Sequence, residues 1–105
     1  MNRPTITVDG KTYELPRPKY GVWYKLLDFD KNHHDIFEEG ILEKRCEFLA
    51  ELYGGVFTAD DLLDNLYLDE IIAAYGSCVD FLLNIIQGKY KEIEKNVDAG
   101  GKTIQ

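Results

Sequence analysis

The chain has 105 residues and 12.1 kDa, with 45% hydrophobic and 12% aromatic residues, which fits one folded domain and excludes a second core and intrinsic disorder. Twelve basic against 19 acidic residues give a net charge of -7, which disfavours nucleic acid and membranes as partners. Cys46 and Cys78 stand singly, and neither a signal peptide nor an apolar run of the roughly 20 residues needed to cross a bilayer is evident, so we expect a soluble cytoplasmic protein.

The charge is divided unevenly along the chain. Residues 1–25 carry five basic and two acidic side chains, whereas residues 26–105 carry seven basic and 17 acidic side chains. Packing of the two regions within one molecule accounts for this division. A head-to-tail contact between protomers is the alternative.

Two short β-prone segments predict an N-terminal β-hairpin over residues 5–15. They are joined by Asp9-Gly10, a dipeptide that accepts the positive φ angles of a two-residue turn. A lone hairpin is marginally stable in water, so we expect it to dock on helices or on the hairpin of a neighbouring protomer. The period of two along each strand places four apolar side chains on one face: Ile6, Val8, Tyr13 and Leu15.

Helical spacing of apolar residues begins after Pro16-Arg17-Pro18, where proline ends the second strand. Asp35 followed by Glu38 resembles a capping box at the start of the second helix. The predicted helices span residues 20–29, 36–53, 59–64 and 68–87. The fold class is therefore mainly α with a short N-terminal β-hairpin, built as a small bundle of three to four helices.

The last predicted helix carries two parallel apolar rows. One row is Leu68, Ile72, Tyr75, Val79, Leu82 and Ile86, and the other is Ile71, Tyr75, Cys78, Leu82 and Ile85. So wide a face suits a central core helix, and a coiled-coil-like seam with another chain is the alternative. Gly88 marks a stop or a kink, and continuation of residues 89–95 as one or two polar helical turns is the alternative. We therefore predict one domain over residues 1–95 and a flexible tail over residues 96–105.

The segment between the second and third predicted helices combines two local signals. Gly54-Gly55 can take positive φ at a helix C-terminus, and Thr58 with Asp61 forms a capping pattern for the next helix. Helix termini do not explain Val56-Phe57, which either fills the core or contacts a partner. The acidic residues that follow either favour helix N-termini or form a docking patch.

The sequence contains only weak matches to metal-binding motifs and none to catalytic motifs. Acidic and amide residues between Asp28 and Glu39 match the ligand positions of a calcium loop, but His33 occupies its glycine position and Asp35 its apolar position. His33-His34 lacks the spacing of a metal site. We therefore predict no metal, no cofactor, no catalytic residues and no enzymatic activity.

Three features together resemble a known family: the hairpin with Asp9-Gly10, the segment Arg17-Pro18-Lys19 before an aromatic helix, and the stretch from Leu52 to Leu66. Over residues 5–87 the chain resembles tail assembly chaperones of long-tailed phages and prophages of Gram-positive bacteria. The resemblance implies a small helical protein in the host cytoplasm that coats the tape-measure protein before the tail tube polymerises, and that is absent from the mature virion. It also implies a longer frameshifted form, whose extra domain recruits the tail-tube protein.

In that role, we expect protomers to form a homo-oligomer through the hairpin and a face of the helical core. The candidate protein-binding residues are Ile6, Val8, Tyr13, Trp23, Val56, Phe57, Asp60 and Asp61. For each apolar member, a place in the core is the alternative. The alternative function is a small acidic regulatory or inhibitory protein-binding module of phage origin, which uses its acidic face as a decoy for a nucleic-acid-binding protein.

Overall fold

The computed structural model describes the backbone of residues 2–100 and the side chains of residues 2–93. A two-stranded antiparallel hairpin precedes four helices, and the prediction of a mainly helical fold is confirmed. The elements are β1 (Thr5–Val8), β2 (Lys11–Glu14), α1 (Tyr20–Asn32), α2 (Ile41–Leu52), α3 (Ala59–Asn65) and α4 (Leu68–Gly100).

The hairpin turns at Asp9 and Gly10, whose φ angles are 51° and 81°. Two successive positive φ angles match the right-handed twist of the paired strands, which is why Asp-Gly is favoured there. The register pairs Ile6 with Tyr13, and the face predicted to be apolar does turn inward, with Ile6, Val8 and Leu15 buried and Tyr13 partly buried. The hairpin docks on the helical part of its own chain, where β1 contacts α3.

Helix α2 begins at Ile41, so the predicted start at residue 36 is wrong. Asp35 does not cap a helix: its Oδ1 accepts a hydrogen bond from the backbone N–H of Phe37 at 2.9 Å, which closes a local turn. The Glu38 carboxylate accepts hydrogen bonds from Lys44 and His33, and Gly40 takes a left-handed φ of 72°. These contacts hold residues 36–40 in turns before the helix.

The corner between α2 and α3 agrees with the prediction. Gly55 N–H bonds the carbonyl of Ala50 at 2.9 Å and Gly54 N–H bonds that of Glu51 at 3.0 Å, the two bonds of a Schellman motif. Both glycines have positive φ, 82° and 76°. Thr58 then caps α3, so one helix ends and the next begins within a few residues.

Helix α4 continues through Gly88 to Gly100, so the predicted end at about residue 87 is wrong and the alternative of a helical continuation over residues 89–95 is correct. A single glycine costs a helix about 1 kcal/mol and does not end it when the residues beyond are good helix formers. Of the predicted tail, residues 96–100 are helical, and residues 101–105 lie outside the described residues.

The two apolar rows of α4 share Tyr75 and Leu82, and the core covers them unequally. Ile71, Tyr75, Cys78 and Leu82 are buried against α2 and the remaining elements, whereas Leu68 and Ile72, at the start of the first row, are exposed. The other buried side chains come from every element except β2: Ile6, Val8, Leu15, Leu26, Ile41, Cys46, Phe48, Leu49, Leu52, Tyr53, Phe57, Leu62 and Phe81. Helix α4 is therefore a core helix with an uncovered apolar side.

Candidate functional site

A shallow cleft between the hairpin and the α2–α3 corner brings together five of the eight predicted contact residues. Its volume is about 150 Å³. The lining side chains are Val8, Asp9, Lys11, Tyr13, Val56, Phe57, Asp61 and Asn65. Residues nearly 50 positions apart in sequence thus meet because β1 packs on α3.

Val56 and Phe57 have opposite environments. Phe57 is 4% exposed, and its ring lies 5.3 Å from those of both Tyr13 and Tyr53, centroid to centroid. Val56 is 54% exposed on the cleft rim. Phe57 is thus a core residue of the described chain, as are Ile6 and Val8, while Val56 is available at the surface.

Some of the acidic residues after Phe57 form helix-capping hydrogen bonds, and others are exposed. Asp61 Oδ2 accepts the backbone N–H of Thr58 at 2.9 Å, and Thr58 Oγ1 accepts the backbone N–H of Asp61 at 3.1 Å, which completes the predicted capping box. Glu70 accepts the N–H of Tyr67 at 2.8 Å beside the start of α4. Asp60 is exposed on the outer surface of α3. Helix capping therefore accounts for part of the acidic cluster.

Trp23 lies apart from this cleft, in a second groove of about 370 Å³ between α1 and α4. Residues of both helices and the segment before α1 line it: Pro18, Lys19, Tyr20, Trp23, Leu82, Ile85, Ile86 and Tyr90. Tyr20, Ile86 and Tyr90 were not among the predicted contact residues. For Ile86 the available signal was the wide apolar face of α4, because the part of such a face that the core does not cover must lie at the surface.

One family model matches the chain, that of the phage tail chaperone protein family, and it covers residues 5–99. The chain belongs to this family. The predicted resemblance to phage tail chaperones is thereby confirmed, and the matched range includes both grooves, the hairpin, helices α1 to α3 and all of α4 but its last residue. No curated protein and no solved structure matches the chain significantly. Membership implies partners among phage tail proteins.

The two thiols of this family member are shielded from solvent. Cys46 and Cys78 are both free and buried. Burial raises the pKa of each thiol to about 11, with the carboxylates of Glu43 and Glu47 adding to the effect at Cys46. Both thiols are therefore protonated at neutral pH, a state that is neither nucleophilic nor metal-binding.

Residues 28–39, which match the ligand spacing of a calcium loop, do not fold as one. Asp28, Asp30 and Asn32 all lie on helix α1, and the amide of Asn32 donates to the carbonyl of Asp28. No cluster of three or more potential metal-ligating side chains occurs among the residues that the structure describes.

Helix α4 contains a longer apolar stretch than we expected from the sequence. The segment Leu68–Ile93 has 26 residues, and a mean hydropathy of 1.4 makes it apolar enough to cross a membrane by length and composition alone. The core helix of a globular protein can pass the same test, so the evidence is weak. A core helix that passes this test is mostly buried, whereas only 28% of the most apolar window of α4 is buried within the described chain.

Proposed function

We propose that this protein is a phage tail assembly chaperone that binds the tape-measure protein and assists assembly of the tail tube. The observation that carries the proposal is the family match over residues 5–99. In this proposal the protein acts in the cytoplasm of the bacterial host, forms a homo-oligomer, meets the tail-tube protein during assembly, and leaves before the virion is complete.

The surface of the chain suits a protein that shields apolar clients. Large apolar side chains are exposed on α1, on the loop before α2, beside α3 and along α4. Contiguous apolar patches above a few hundred Å² are rare on monomeric proteins and mark interaction sites. Binding through such surfaces is reversible, which an assembly factor that must leave its client requires.

The hairpin cleft is the proposed client-binding site. Val56 and Tyr13 offer apolar contact at the cleft, and Asp9 and Asp61 line it as acidic residues beside Lys11. Asp60, exposed on the outer surface of α3, extends the acidic surface next to the cleft. Phe57, with Ile6 and Val8, holds the cleft walls in place from the core side. A client segment with apolar side chains and flanking basic residues matches this combination.

Co-expression with the tape-measure protein of the same phage tests the function. We expect the client to become soluble and to co-purify with the wild-type chain, and Val56→Asp to abolish co-purification. Ile36→Asp is the matched control, because Ile36 is also exposed, at 61% against 54% for Val56, and lies in a loop away from the cleft. A client that stays insoluble beside the folded wild-type protein would refute the proposal.

A further inference from the structure

Two adjoining grooves lie where the segment before α1 crosses α4. The first is the groove of about 370 Å³ beside Trp23, and the second has a volume of about 620 Å³. Pro18 and Ile85 line both of them, so the two grooves are parts of one surface, which we call the α4 groove. It shares no lining residue with the hairpin cleft.

One part of the α4 groove is apolar and aromatic. Trp23, Ile85 and Ile86 are partly buried there. The rings of Tyr20 and Tyr90 line the same part and remain 77% and 64% exposed. An apolar groove between two helices is a common binding site for the apolar face of an amphipathic helix.

The α4 groove is basic, although the chain as a whole has a net charge of -7. One carboxylate lines it, that of Glu92. Asp80 lies one turn before Asn84 on α4 and lines neither part. Four basic side chains line the groove: Arg3, Arg17, Lys19 and Lys89.

Arg17 and Lys19 are the cations of the α4 groove that can bind a partner. Arg3 is paired with Glu14 at 3.3 Å, and Lys89 is paired with Glu92 at 3.5 Å. Arg17 and Lys19 are exposed, and neither forms an ion pair or a side-chain hydrogen bond with any residue that the structure describes. The groove therefore offers two positive charges that its own carboxylates do not neutralise.

The position of Pro18 places these two cations in different parts of the groove. Arg17 lines the charged part and Lys19 lines the aromatic part, with Pro18 between them. Because Arg17 precedes a proline, its backbone is restricted to extended conformations. Less conformational entropy is then lost when a partner binds to this segment.

From these observations we propose that the α4 groove binds an acidic amphipathic helix of a protein partner. Its apolar side chains lie beside Trp23, and its carboxylates pair with Arg17 and Lys19. The guanidinium of Arg17 donates two parallel hydrogen bonds to one carboxylate. The hairpin cleft favours segments with basic flanks, so the two surfaces of the chain select segments of opposite charge. This inference does not depend on the tape-measure protein being the client.

The fluorescence of Trp23 provides a direct test, because it is the single tryptophan of the chain and lies in the α4 groove. The probe is a synthetic helical peptide of alanine, leucine and glutamate that contains no tryptophan. We expect a saturable change in Trp23 emission with a dissociation constant on the order of 10–100 µM. The same peptide with glutamine in place of glutamate should bind about tenfold more weakly, and the version with lysine should not bind.

Substitutions in the chain test each half of the groove. Arg17→Glu should raise the dissociation constant of the glutamate peptide about tenfold. Lys31→Glu is its control, because Lys31 is also exposed, makes the same change in net charge and lies outside the groove. Ile86→Gln should weaken binding at least about threefold. Its control is Ile72→Gln on the same helix, outside the groove. Circular dichroism should show unchanged helicity for all four variants.

Three outcomes would overturn the proposal. One is a glutamate peptide that binds no more tightly than the lysine peptide, and another is Arg17→Glu binding the glutamate peptide as tightly as Lys31→Glu does. The third is Trp23 emission that changes with the concentration of the chain but not with peptide, since a second copy would then occupy the groove. No tape-measure protein enters this experiment, so its failure is distinguishable from a failure of the co-purification experiment on Val56.

Discussion

The ring of Phe57 meets that of Tyr13 edge to face, with centroids 5.3 Å apart and planes inclined at 64°. Tyr13 belongs to β2 and Phe57 to the corner that leads into α3, so this contact helps to hold the hairpin against the helices. Tyr53 approaches the same ring from α2, and its hydroxyl reaches the carbonyl of Pro4 at 3.5 Å.

Phe57→Ala should lower the free energy of unfolding by about 3–5 kcal/mol, because it removes a buried ring and leaves a cavity. Val56→Ala at the neighbouring exposed position should change it by less than about 1 kcal/mol. Urea denaturation monitored by circular dichroism measures both. If Phe57→Ala is too unstable to purify, Phe57→Leu should lose about 1 kcal/mol, and an unchanged midpoint for that variant would show that the ring is not a core element.

Thr58→Ala should destabilise the fold by about 1 kcal/mol, since the N-terminus of α3 loses one half of its capping box. For a domain of this size that loss lowers the melting temperature by about 4–8 °C. Thr58→Ser keeps the hydroxyl and should melt near the wild-type temperature. Equal melting of the alanine and serine variants would mean that the hydroxyl contributes nothing.

The same glycine-to-alanine change should have opposite effects at two positions. At Gly54, with a φ of 82°, alanine should cost about 1–2 kcal/mol because a Cβ is strained in left-handed backbone. At Gly88 no atom lies within 4 Å of an added Cβ, so alanine should stabilise helix α4 by about 0.5–1 kcal/mol. Denaturant midpoints that move in the same direction would contradict this.

The contacts of Glu38 give the stability a pH dependence. Hydrogen bonds from Lys44 and then His33 hold the pKa of the Glu38 carboxyl below its usual 4.5. Because the folded pKa is the lower one, the carboxylate stabilises the native chain above the unfolded pKa, and this stabilisation is lost as the pH falls through the folded pKa. The melting-temperature difference between wild type and Glu38→Gln should therefore shrink on acidification below about pH 5. Glu39→Gln, which removes the neighbouring exposed carboxylate, is the control variant for the loss of one negative charge.

Both thiols should resist modification in the native state. Cys46 and Cys78 are 0% and 1% exposed, and burial keeps each thiol protonated with a pKa of about 11. A chromogenic disulfide reagent at pH 8 should therefore react with neither until urea unfolds the chain, and then with both. Rapid reaction of one thiol in buffer would show that its helix opens locally.

Local sequence signals predicted the hairpin turn, the glycine corner and the Thr58 cap, because each depends on residues only a few positions apart. The start of α2 could not be found in this way. Asp35 and Glu38 have the right spacing for a capping box, but Lys44 and His33 draw the Glu38 side chain into a different network. Residue spacing alone does not show whether Glu38 caps a helix or bonds Lys44 and His33.

The two grooves were only partly predictable. Five of the eight candidate residues do converge in the hairpin cleft, yet the sequence could not decide which of Val56 and Phe57 points inward. That choice depends on how far the two glycines turn the chain. The exposure of Leu68 and Ile72 was not predictable either, because the two rows of α4 are equally apolar and share Tyr75 and Leu82, and only tertiary packing decides which of their residues the core covers.

Helix α4 also has a mechanical consequence. Among the described side chains, Ile85 is the last on this helix to pack against the core, yet the helix continues to Gly100. At 1.5 Å per residue, its end stands about 20 Å beyond that contact. The last turns of the helix thus project beyond the packed core, so a change in their length should leave the contacts of the core intact.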